Sequence, residues 1–241
     1  MAALSCEGVR KTYGAFVALS GAAMTVEPGE ILGLAGPNGA GKTTLFDVLS
    51  GRIHADSGTV TLGERDVSRL STHRRARLGL ARTFQAPLVP TALSVGETLR
   101  AARDAYAPHA TAESVQHARE LTGLTSPDSA IAGGLDTLER RKLLLACLLQ
   151  RATTVLLMDE PCSGLLSDEI DEIDAVIRRI VDERGCAVIV VEHRLELLFA
   201  IARRVIVLDA GAVIAEGPAK EVFELPIVRK AYFETHDEDA A

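Results

Sequence analysis

The sequence has no surplus of basic charge: 26 lysines and arginines stand against 33 aspartates and glutamates, for a net charge of −7. A chain that grips a nucleic-acid backbone needs the opposite balance, because its affinity comes from displacing counterions around phosphates. Nucleic acid is therefore not an expected partner. There is also no apolar run near the roughly 20 residues that span a bilayer; Leu143–Leu149 is broken by Gln150 and Arg151. The four cysteines, Cys6, Cys147, Cys162 and Cys186, make no C-x-x-C pair and no ligand-like group with histidine. Reduced thiols are expected, not a disulfide framework or a zinc site. The opening residues MAALSCEGVRKTYG lack the charged-then-apolar layout of a secretory leader, so a cytosolic location is expected. Lysine is scarce, and any lysine inside a motif stands out.

What is present reads as one large α/β unit of 241 residues. Ile31–Ala35, Val155–Met158, Ala187–Val191 and Val205–Leu208 are short apolar runs without alternation, suited to parallel strands buried on both faces. Leu4–Val9, Ala22–Val26 and Thr59–Leu62 alternate more and are joined by glycine-containing turns, which predicts a small antiparallel piece. Between 86 and 150 only helix signals occur. Ser94-Val95-Gly96-Glu97 fits a capping box, and Thr111 and Gly123 bracket a second helix. From Ser167 to Gly185, Ile170, Ile173, Val176, Ile177 and Ile180 recur at helical spacing. The expected division is residues 1–85 (antiparallel piece and first half of the core), 86–150 (helical lobe) and 151–241 (second half of the core and C-terminal segment).

Two segments carry chemistry. Gly36-Pro37-Asn38-Gly39-Ala40-Gly41-Lys42-Thr43-Thr44 satisfies G-x-x-x-x-G-K-[ST] and lies between a strand candidate and a helix start. A triphosphate needs several donors converging on a small volume. Glycines let successive backbone N–H groups turn inward, and the helix N-terminus adds its dipole. Lys42 supplies a charge for the β- and γ-phosphates, and the Thr43 hydroxyl can ligate Mg²⁺. Further on, Thr154-Val155-Leu156-Leu157-Met158 delivers Asp159-Glu160-Pro161 at its end. Asp159 is the expected metal-holding acid, and Glu160 can orient and deprotonate an attacking water. Both readings point to a nucleoside triphosphate with Mg²⁺.

Five further pieces, Lys11-Thr12-Tyr13-Gly14, Arg82-Thr83-Phe84-Gln85, Asp159-Glu160-Pro161, Ser163-Gly164-Leu165 and Val191-Glu192-His193, fall in order around the phosphate loop. Together they make the chain resemble, over nearly its whole length, the nucleotide-binding subunit of ATP-binding cassette (ABC) transporters. The resemblance implies a P-loop fold with a RecA-like core sheet, a small antiparallel β subdomain and an inserted α-helical subdomain. It implies that Tyr13 stacks on adenine, that Gln85 reaches Mg²⁺ and the attacking water, and that His193 contacts the γ-phosphate. GPNGAGKTTLF (36–46), ARTFQ (81–85), VEH (191–193), GAVIAEGP (211–218) and VRKAYF (228–233) look like the branched-chain amino-acid uptake ATPases, and the lipopolysaccharide-export ATPases share much of this wording.

One departure stands out. Where the family has Leu-Ser-Gly-Gly-Gln, this chain has Leu135-Asp136-Thr137-Leu138-Glu139 before an expected helix Glu139–Gln150, and Leu166 replaces a common aspartate. Asp136 and Glu139 are expected to bring negative charge towards the triphosphate, and Leu138 bulk where bare backbone is wanted. In the family each ATP lies between one subunit's phosphate loop and the other's signature. The expectation is an asymmetric heterodimer with a second ABC ATPase; a homodimer stays open. The implied setting is the inner face of the cell membrane, with integral permease subunits and a solute-binding protein. A non-hydrolysing, ATP-gated binding module is the alternative from another class.

Overall fold

The computed structural model describes residues 1–192 and 195–233. The order is β1 (Leu4–Tyr13), β2 (Phe16–Val26), β3 (Ile31–Ala35), α1 (Lys42–Ser50), β4 (Ser57–Leu62), β5 (Arg65–Asp66), α2 (Thr72–Arg77), β6 (Leu80–Arg82), α3 (Val95–Tyr106) and α4 (Ala112–Thr122). A single 3₁₀ turn (Ala132–Gly134) leads to α5 (Thr137–Leu149), β7 (Val155–Asp159), α6 (Ser167–Arg184), β8 (Ala187–Val191), α7 (Leu195–Ile201), β9 (Arg204–Asp209), β10 (Ala212–Pro218), α8 (Ala219–Val222) and α9 (Pro226–Phe233).

Among the described residues two sheets form. One is antiparallel, in the order β2-β1-β4-β5; the other runs β10-β9-β3-β8-β7-β6, parallel except for β10. Successive side chains of a strand point to opposite faces, and the central sheet sorts them accordingly. Val155 and Leu157 join the core under the antiparallel sheet and α1, while Leu156 and Met158 join the core against α5, α6 and α7. This two-sided burial explains why β3, β7, β8 and β9 read as unbroken apolar runs. β6 and β10 escape such a reading, β6 because it has three residues and β10 because it is an edge strand of half-exposed and exposed positions.

The helical stretch builds its own small core from Val95, Leu99, Leu124, Ala132, Leu143 and Ala146. Its ends are capped as the residues foretell. Ser94 Oγ accepts from the Glu97 N–H while the Glu97 carboxylate accepts from the Ser94 N–H, and Gly123 closes α4 at φ 64°. The stretch is not detached, however. Ala118, Leu121, Leu138, Leu145 and Leu149 belong to the same core as α6. No helix among the described residues is long and apolar enough to cross a membrane.

Arg75, fully buried, fastens the far end of α1. Its guanidinium donates to the carbonyls of Val48 and Leu49 at 2.7 and 2.8 Å and to those of Ser68 and Leu70 at 3.1 Å. The last carbonyls of a helix lack intrahelical partners and carry the negative end of its dipole, so a cation satisfies both needs. Burial pulls its pKa down to about 10, which still leaves it charged at neutral pH. Arg75→Ala is expected to remove about 2–4 kcal/mol of stability, read as a lower urea midpoint; a midpoint equal to the parent's would refute this role.

Candidate nucleotide-binding site

The loop from Gly36 to Gly41 joins β3 to α1 and is wedged between two backbone carbonyls. Gly36 sits at φ 147°, and a β-carbon there would lie 2.1 Å from the Leu208 carbonyl oxygen. Gly41 sits at φ 100°, with the Ala18 carbonyl 2.5 Å from where its β-carbon would be. Only glycine tolerates both the backbone angle and the approach. Asn38, Gly39 and Thr43 face solvent on the crest of the loop, while Gly36, Pro37 and Ala40 are buried beneath it; Thr44 is half-buried. The Lys42 ammonium curls back to donate to the carbonyls of Gly36 (2.6 Å) and Pro37 (2.8 Å). Burial lowers its pKa, and the charges of Glu160 and Asp159 oppose that shift. Lysine and both acids thus share one electrostatic neighbourhood.

The acids arrive because β7 lies between β6 and β8 and ends at Asp159. Burial raises the Asp159 pKa, and Arg82 from β6 works against it. The Arg82 guanidinium donates to Asp47 (2.6 Å) and Ser50 (3.0 Å) on α1 and reaches Asp159 at 3.4 Å. It also lies 5.6 Å from the ring of Phe46 and 5.1 Å from that of Phe84. One buried cation therefore links the helix after the phosphate loop, the strand before Gln85 and the end of β7.

Glu160 holds a left-handed backbone at φ 48°, uncommon for a residue with a side chain. Its N–H donates to the Val191 carbonyl at 2.9 Å, and its own carbonyl accepts from Arg141 of α5 at 2.9 Å. Arg141 donates also to the carbonyls of Pro161 and Ser163. The Gln85 amide donates to the Glu160 carboxylate at 2.7 Å, so the glutamine and the acid that sequence pairs only by order are brought into contact. Glu192 is buried, accepts from the Cys162 N–H at 2.9 Å, and has its pKa raised chiefly by that burial. His193 lies outside the described residues. Tyr13 is half exposed at the end of β1, paired across the hairpin with Phe16, and Lys11 sits 5.6 Å over its ring. The start of β2 also carries Ala18, the residue that abuts Gly41.

The divergent segment behaves differently from the expectation at two of its positions. Helix α5 begins at Thr137, two residues earlier than Glu139, with Asp136 as its N-cap accepting from the Glu139 N–H at 2.7 Å. Leu138 is turned inward, packed in the core shared with α6, so it adds no bulk to the outer face. The Glu139 carboxylate is also buried. It accepts from the N–H groups of Thr125 (3.2 Å) and Ser126 (2.8 Å) and from the Ser126 hydroxyl (2.6 Å), and it pairs with Lys142 at 3.1 Å. A carboxylate so neutralised projects little charge outward. Leu135 and Thr137 are half-buried, and the outward charge reduces to Asp136, which is exposed.

Arg82, Arg141, Asp47 and Tyr232 are the site's supporting residues that sequence reasoning did not single out. The Tyr232 hydroxyl accepts from the Gly36 N–H at 2.7 Å. Partners 19 to 196 residues away leave no periodic trace.

The family model described as ABC transporter matches residues 19–163 of this chain. Among curated proteins, the high-affinity branched-chain amino acid transport ATP-binding protein BraF of Pseudomonas aeruginosa is 28% identical over 246 residues, covering 95% of this chain and 96% of its own. The lipopolysaccharide export system ATP-binding protein LptB of Acidithiobacillus ferridurans is 30% identical over 236 residues, with 95% of each chain covered. Among solved structures, an ATP-binding cassette of an ABC transporter in its ADP conformation superposes with a TM-score of 0.85 at 25% identity, over 96% of this chain and 98% of that one. Family match, fold and the cradle around Lys42 agree, and the chain belongs to the ABC transporter family as an ATP-binding, ATP-hydrolysing subunit.

Proposed function

We propose that this subunit powers uptake of a small solute, a branched-chain or other amino acid, by hydrolysing ATP at the pocket around Lys42. The observation that carries the chemistry is the 2.7 Å contact between Gln85 and Glu160 beside the buried ammonium of Lys42. The loop 36–44 receives the phosphates, with Lys42 exchanging carbonyl partners for phosphate oxygens and Tyr13 stacking on adenine. Glu160, held by Arg141, orients a water for in-line attack and takes its proton; His193 is assigned the γ-phosphate contact.

The donor set also suits Mg²⁺. Thr43, Asp159 and the amide oxygen of Gln85 are all oxygen ligands, and a magnesium ion is commonly held by one or two protein groups together with substrate phosphates. Mg²⁺ bound there would neutralise charge on the β- and γ-phosphates, and Arg82, 3.4 Å from the Asp159 carboxylate, would restrain that ligand.

The subunit pairs as an asymmetric heterodimer, on the strength of Asp136, an exposed carboxylate that caps the N-terminus of α5, where an incoming γ-phosphate of the partner's nucleotide would compete. The intended partners are a second ABC ATPase with an intact signature, integral permeases that place this subunit at the inner face of the membrane, and a solute-binding protein. The helical stretch 86–150, carrying the link from Gln85, acts as the lobe that moves between residues 1–85 and 151–241. The lipopolysaccharide-export reading rests on the LptB likeness and on motif wording shared with the amino-acid ATPases.

Lys42→Ala is expected to weaken ATP binding at least tenfold in equilibrium titration. Glu160→Gln should bind ATP like the parent and lose about 100-fold or more in turnover; unchanged turnover removes Glu160 as base. The chain alone should hydrolyse ATP slowly, and Asp136→Ser should raise that rate about threefold or more, whereas no gain favours a tolerant homodimer. In cells carrying Lys42→Ala, uptake of labelled leucine should fall; normal uptake with defective lipopolysaccharide export would overturn the amino-acid assignment.

A further inference from the structure

The last described helix reaches the phosphate loop from the opposite end of the chain. Val228 and Tyr232 of α9 face inward, Val228 fully buried and Tyr232 half-buried. Tyr232 leans on the ring of Phe223 at 5.9 Å, and Phe223 meets Phe199 of α7 edge-on at 4.9 Å. This aromatic row, in the edge-on and tilted arrangements that such rings favour, seats the helix. At its end the Tyr232 hydroxyl oxygen accepts from the Gly36 N–H.

Gly36 is thereby held at both of its backbone groups, its N–H by Tyr232 and its carbonyl by the Lys42 ammonium at 2.6 Å. The restraint matters because of what glycine is. The absence of a β-carbon allows φ 147° against the Leu208 carbonyl, and the same absence leaves the residue free to swing away. A loop that must be ordered when nucleotide arrives binds more weakly than one already in place. We propose that Tyr232 is a positioning residue for the phosphate loop: its hydroxyl holds Gly36, and through it Lys42, in the binding conformation, so that nucleotide affinity depends on the docking of α9. Desolvation pushes the pKa of this hydroxyl up to about 12, and it remains a neutral acceptor across the physiological range.

This inference rests on the reading of 36–44 as the nucleotide site. The test uses the full chain with ADP and Mg²⁺. Tyr232→Phe keeps the ring and deletes the acceptor. It is expected to raise the ADP dissociation constant about threefold to tenfold, the range a single neutral hydrogen bond covers. Turnover at saturating ATP should stay within about twofold, and amide exchange at Gly36, followed by NMR, should accelerate. Phe223→Leu, which loosens the seat and keeps the hydroxyl, should weaken ADP in the same direction. Affinity unchanged in Tyr232→Phe while Phe223→Leu weakens it would reduce α9 to a packing element and overturn the proposal. So would unaltered exchange at Gly36. If Lys42→Ala also leaves ADP affinity intact, the nucleotide site itself is misassigned; if only Tyr232→Phe does, the positioning role alone falls.

Discussion

No β-carbon fits at position 36, because the Leu208 carbonyl oxygen occupies its place. That one close approach fixes the end of β9 against the phosphate loop, and β9 pairs with β3, which delivers the loop. On the other side β3 pairs with β8 and β8 with β7, so Val191 and Asp159 finish in register at the same edge. Ligands of open parallel sheets bind beyond the carboxyl ends of the strands. Here that end gathers the lysine, the two acids and the glutamine at the same rim, while the sequence scatters them between positions 42 and 160.

Charge balance decides how the gathered groups coexist. A buried ammonium is costly unless partnered, and Lys42 finds two carbonyls, with Glu160 and Asp159 near enough to oppose the fall in its pKa. Asp159 in turn is raised by burial and steadied by Arg82, which shares itself with Asp47. The cations of the site are thus paired with its own carbonyls and acids. On the proposed reading, a polyphosphate would exchange one set of partners for another here, so that neither ammonium nor carboxylates need be left unpaired.

The elements that bury one kind of surface were legible in the residues. β3 and β8 run from Ile31 to Ala35 and from Ala187 to Val191 as their apolar runs foretell, and Ser94, Thr111 and Gly123 mark helix ends by chemistry confined to a few positions. The phosphate loop was legible for the same reason, since its donors are consecutive. What escaped is long-range. Arg82 meets Asp159 and Arg141 meets Glu160 only after the sheet is assembled. Spacing says nothing about which residue will fill such a gap, and the direction of a side chain at a helix start is equally silent. Hence Leu138 and Glu139, expected outside, lie inside.

Their inward turn changes what the divergent signature means. Lys142 bridges Glu139 and Glu172, tying the start of α5 to α6, and Ser126 and the 125–126 backbone close around the same carboxylate. A glutamine at 139 could accept the same donors but would leave Lys142 with one anionic partner fewer, in a place where its side chain is almost fully buried. The glutamate therefore belongs to the stability of the helix and not to the face that meets another subunit. The divergence visible from outside narrows to one carboxylate, that of Asp136, on a helix end whose dipole already favours an anion. Capping the helix and receiving a phosphate, as proposed, would call on the same N–H, that of Glu139, which the Asp136 carboxylate already holds at 2.7 Å.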